Sequence, residues 1–90
     1  MERGTVVIAS AGKEKGGFYV VTEVLDSRYV LIADGKLRTI EKPKKKNIIH
    51  LQRMNHSIGE ISTNRQLRIF LRDYRDGDSS RRVDSVGETV

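Results

Sequence analysis

Cysteine is missing from this 90-residue chain, proline occurs once, at Pro43, and only five side chains are aromatic. Each shortage excludes something. Without cysteine there are no disulfides, no thiolate nucleophile and no zinc site of any Cys-containing type. A chain this small without such staples rests on packing alone, which suits a reducing compartment. Long apolar runs are missing too, since no stretch approaches the roughly 18 residues that a membrane helix needs. The apolar segment 6–9 is too short for the core of a signal peptide. The expectation is a soluble, cytoplasmic protein. The aromatic residues Phe18, Tyr19, Tyr29, Phe70 and Tyr74 are too few for a row of stacked single-stranded bases or a methyl-lysine cage. His50 and His56, the two histidines, stand without a cysteine or a tight carboxylate cluster, so no metal site is expected. No nucleophile motif surrounds Ser10, Asp26, Asp34 or the histidines. That argues against an enzyme, a cofactor or a small-molecule substrate.

What the chain has is positive charge, and it has it in one place. The net charge is +5. Segment 36–53 contains seven basic residues, Lys36, Arg38, Lys42, Lys44, Lys45, Lys46 and Arg53, against one acid, Glu41, a local balance of +6. The remainder is close to neutral. An excess gathered into one segment is the distribution expected of a footprint for a polyanion.

Three β-branched and aromatic runs open the chain: TVVIA at 5–9, FYVVTEVL at 18–25 and RYVLIA at 28–33. The glycine-bearing stretch GKEKGG separates the first two. Asp34-Gly35 suits a type I′ hairpin turn, which predicts a returning strand over 36–40, and NIIHL at 47–51 predicts a fifth strand. Short strands every eight to ten residues with no helix between them indicate a small antiparallel barrel. The pattern then changes: Leu67, Phe70, Leu71 and Tyr74 recur at helical spacing, and Thr63 with Gln66 has the spacing of a capping box. Arg65, Arg68, Arg72 and Arg75 gather on a different side of that helix. Residues 77–90 lack large apolar side chains, which predicts a disordered tail.

The segment GTVVIASAGKEKGGFYVV, with VLIADGKLRTIEKPKKKNIIHL after it, resembles the KOW-domain RNA-binding proteins of bacteria that are related to large-subunit ribosomal proteins of archaeal and eukaryotic type. The resemblance covers residues 4–51, its most distinctive part being the lysine-rich continuation DGKLR…KPKKKN…HL. It implies an SH3-like barrel and an RNA partner, ribosomal in origin. In the family the glycine loop contacts RNA, which carries over to Gly12, Lys13, Lys15 and Gly16.

Each candidate has a plainer reading beside it. Lys42, Lys44, Lys45 and Lys46 cannot all be buried, so they are expected to face water or anions. Pro43 keeps the run extended, which lets it track successive phosphates; a solvated connector or a nuclear address remains open. The glycine loop approaches a ligand closely or is a tight turn needing φ > 0. Phe18 and Tyr29 belong in the core, whereas Tyr19, directly after that loop, is the better exposed stacking ring. The four arginines contact phosphate or unpaired bases, or are the wet side of an amphipathic helix.

The expected fold is therefore mainly β, a small SH3-like antiparallel barrel of KOW type over residues 1–53, a connector and amphipathic C-terminal α-helix over 54–76, and a tail over 77–90. The expected function is RNA binding in a ribosome-associated protein of translation, with ribosomal RNA and ribosomal proteins as partners. Neutralising Lys44, Lys45 and Lys46 together should then weaken binding without unfolding the barrel. The alternative is an adaptor docking on an acidic protein in transcription or translation.

Overall fold

The structure, a computed structural model, describes the backbone of residues 1–84 and the side chains of residues 1–75. Five strands, β1 (Thr5–Ala9), β2 (Phe18–Val24), β3 (Tyr29–Ala33), β4 (Lys44–Asn47) and β5 (Leu51–Ser57), precede one helix, α1 (Asn64–Asp84). The fold is mainly β with a C-terminal helix, and the first three strands lie where the β-branched runs place them. Every pairing is antiparallel, in the order β4-β3-β2-β1-β5. That order is linear, with β4 and β5 as edges, so backbone pairing does not close the ring expected of a barrel. Register shifts between Thr5 and Val7 and between Val21 and Glu23 mark where strands bend.

Alternation assigns the apolar residues to two faces, and both need cover. Val7, Ala9, Tyr19, Val21, Val30, Ile32 and Leu51 form one cluster, with Met1 and Ile48 at its margin. Residues of β3 and β5 share it although two strands separate them. Val6, Val20, Ala33 and Ile58 form the other, and α1 covers it with Leu67 and Leu71. Leu67 is fully buried, a burial that contributes about 2 kcal/mol.

Segment 36–40 is not the returning strand. Asp34 Oδ1 accepts the amides of Lys36 and Arg38, both at 2.9 Å, while the Asp34 and Gly35 amides donate to the Arg38 carbonyl at 2.8 and 3.0 Å. These local bonds satisfy the backbone before a ladder can form. The return is delayed to β4, where Lys44 pairs with Ile32 and Lys46 with Val30. The lysine run is thus itself an edge strand. Segment 47–51 is also not one strand: Asn47 Oδ1 accepts the Ile49 amide at 3.0 Å and caps a turn of 3-10 helix, Ile48–His50. Extended structure resumes in β5.

The helix starts as expected, Thr63 Oγ1 accepting the Gln66 amide at 3.0 Å. The Gln66 side chain reaches back to the amide of Ser62, not Thr63, at 2.7 Å. Of the predicted stripe, Leu67 and Leu71 are buried and Phe70 and Tyr74 half-buried. The helix runs on through Gly77 to Asp84, so residues 77–84, expected as tail, are helical. A single glycine costs about 1 kcal/mol in a helix, too little to stop one already propagating. The rest of the expected tail, 85–90, lies outside the described residues. Among the described residues no helix is long and apolar enough to cross a membrane.

Candidate nucleic-acid interface

The loop between β1 and β2 is wound tightly: Lys15 N donates to the Gly12 carbonyl at 3.2 Å and Gly17 N to the Glu14 carbonyl at 3.0 Å. Gly12 and Gly16 take φ of +83° and +89°, the left-handed region that a side chain disfavours. The winding turns Lys13 and Lys15 outward, both exposed, and Glu14 between them inward, where it is buried. Glu14 Oε1 accepts from Lys46 Nζ at 3.0 Å and Oε2 from the Arg38 guanidinium at 2.7 Å. Hydrogen bonds from Lys46 first and Arg38 second hold its carboxyl at about 2, against an ordinary 4.5.

This arrangement corrects two expectations. Lys46 does not face water: alternation along β4 points it to the same side as Val30, its ammonium also donates to the Ala11 carbonyl at 2.9 Å, and the residue is 7% exposed. Burial of an ammonium is tolerable here because it is paired and hydrogen-bonded. Tyr19 is not an exposed stacking ring either. It pairs with Val7 and belongs to the core, 6% exposed. Gly12 serves the Lys46 contact, since a Cβ there would lie 2.7 Å from Lys46 Nζ. Lys42 and Lys45 are exposed, Lys44 half-buried, and the Lys45 ammonium sits 4.6 Å from the centroid of the Tyr29 ring. Sequence reasoning missed Glu14. Its signal was chemical, a lone acid between two lysines inside a glycine loop.

The helix joins the same surface. Gly35 has φ +78°, and a Cβ there would run into the Asn64 carbonyl. Ile40 N donates to Asn64 Oδ1 at 2.7 Å, Asn64 Nδ2 to Glu41 at 2.8 Å, and Arg68 to the Gly35 carbonyl at 2.8 Å. Loop 34–43 is therefore fastened to the glycine loop through Arg38 and Glu14, and to α1 through Gly35 and Asn64. Between α1 and this loop runs an open groove of about 890 Å³. Lys36, Arg65, Arg68, Arg72 and Arg75 line it, with Asp34 the one acid among the described lining residues. Phe18, Leu37 and Ile69 supply apolar wall. The four helix arginines and Lys36, far apart in sequence, thus meet. Arg53 does not join them; it lies on β5 beside Glu2, Thr5 and His56 in a separate depression of about 250 Å³. Among the described residues no group of three or more His, Cys, Asp or Glu side chains is placed to hold a metal ion.

No family model matches the chain. Over 58 residues, 64% of its length, it is 33% identical to the large ribosomal subunit protein eL14 of Desulfurococcus amylolyticus. The chain is thus similar, over part of its length, to one large-subunit ribosomal protein. It spans 60% of the length of that relative. In this chain a glycine loop and a lysine-rich strand are clasped together by one buried carboxylate.

Proposed function

We propose that the protein binds RNA and associates with the ribosome in the cytoplasm, with ribosomal RNA as its principal partner. The likeness to a large ribosomal subunit protein carries this reading, and the placement of the cations supports it. The Glu14 clasp ties the glycine loop, with exposed Lys13 and Lys15, to the strand that carries Lys44 and Lys45. Ammonium groups are point charges that neutralise phosphates without reading bases, so affinity comes from the backbone and selectivity from the shape of the RNA. Lys46 and Arg38 take part indirectly, by fixing the two segments. The gathered arginines extend the positive surface along α1.

Equilibrium binding to a structured ribosomal RNA fragment and to matched duplex DNA, each across a salt series, tests the proposal. RNA should bind more tightly, with log K falling against log salt at a slope of roughly 3 to 6, as for a handful of neutralised phosphates. If neither nucleic acid binds at low salt, the proposal fails and docking on an acidic protein takes its place.

A further inference from the structure

The groove between α1 and loop 34–43 has more apolar wall than a phosphate track needs. Leu37 is 82% exposed, the most exposed large hydrophobic residue described, and Ile69 is 37% exposed beside it. Among the described residues nothing packs over Leu37 enough to take it out of water. The cations around it are mainly arginines, whose planar guanidinium groups stack on bases as well as pairing with phosphate. Asp34 points the same way. A carboxylate in the wall repels phosphate but accepts hydrogen bonds from base N–H groups, and its Oδ1 is already fixed by the amides of Lys36 and Arg38. The volume, about 890 Å³, lies in the range of pockets that enclose small organic groups, about 300–1,000 Å³.

We infer that this groove takes an unpaired nucleotide of the bound RNA, its base against Leu37 and Ile69 and its flanking phosphates on Arg65 and Arg72. The inference rests on the RNA-binding reading and adds to it a preference for interrupted over continuous helices. Arg68 is left out of the test because its bond to the Gly35 carbonyl also holds the helix in place.

Two RNA hairpins of equal length and charge, one fully paired and one with a two-nucleotide bulge, would be titrated against the protein and against Leu37→Ala and Arg65→Ala/Arg72→Ala variants. The parent should prefer the bulged RNA by about fivefold or more, the scale of one sequestered base. Leu37→Ala should reduce that preference to below about twofold with the salt slope unchanged, because it removes apolar contact and no charge. The double arginine variant should lower the slope for the bulged RNA by roughly 1 to 2. Equal binding of both hairpins by the parent, or an undiminished preference in Leu37→Ala at unchanged melting temperature, overturns the groove assignment and leaves RNA binding standing. Failure to bind either hairpin overturns both. An acidic peptide that binds more tightly than the bulged RNA, and loses that affinity in Leu37→Ala, assigns the groove to a protein partner and overturns it as well.

Discussion

Glu14 is the residue on which the surface depends. It is buried with Lys46 on one oxygen and Arg38 on the other, so replacing it leaves the Lys46 ammonium with the Ala11 carbonyl as its remaining partner. Glu14→Gln should destabilise the fold by about 3 kcal/mol, the usual cost of breaking a buried pair from one side, as urea unfolding would show. The pH dependence has a fixed sign. The carboxyl sits at about 2 in the fold and ordinarily at 4.5, so its contribution is complete above that ordinary value and is lost as pH falls toward the folded one. Parent and Glu14→Gln stabilities should therefore converge in acid and diverge toward neutrality. Gly35→Ala should cost about 2 kcal/mol or more, since φ is +78° and the new Cβ would meet the backbone of Asn64. Sequence reading identified most exposed cations correctly because charge predicts exposure. It failed at Lys46 and Tyr19, where burial is set by strand parity and a partner 32 residues away, neither visible in the local run.

Among the elements, β4 and α1 carry the cations and respond differently to change. On β4, Lys45 is exposed and Lys46 buried. Lys44→Ala/Lys45→Ala should lower the salt slope of RNA binding by roughly 1 to 2 and leave the melting temperature nearly unchanged. Lys46→Ala should lower stability as well. A triple lysine variant would mix these effects, so the earlier expectation of weaker binding with an intact fold applies to the outer two alone. On α1, Leu67 is fully buried against the sheet, and Leu67→Ala should cost about 3 kcal/mol, read by thermal unfolding. The helix and the first three strands were legible because their periodicities of 3.6 and 2 extend over enough residues. The fourth strand was misplaced because an aspartate side chain, not the Asp-Gly backbone, decides the turn. The end of the helix was misplaced because composition does not measure how far an established helix propagates.

Across the whole molecule, loop 34–43 joins segments distant in the chain, bonding the glycine loop through Arg38 and Glu14 and α1 through Gly35 and Asn64, and sequence reading saw the segments without seeing them meet. The arginine groove is the clearest case: Lys36 and Arg72 share it only because the first half of α1 lies across loop 34–43. If this surface binds RNA, ligand should stabilise the whole fold by mass action, by about 2.7 kcal/mol at a hundred times Kd, and a thermal shift with ribosomal RNA, absent with a neutral polymer, checks it. The Glu14 clasp also leaves a mark on descent. Lys46 is buried, so losing its Glu14 carboxylate is costly, whereas Arg38, with 36% of its side chain exposed, can exchange its partner for water at small cost. Lineages that diverge from this chain should therefore exchange positions 14 and 46 as a pair, an ionic couple for an apolar one, while position 38 drifts alone.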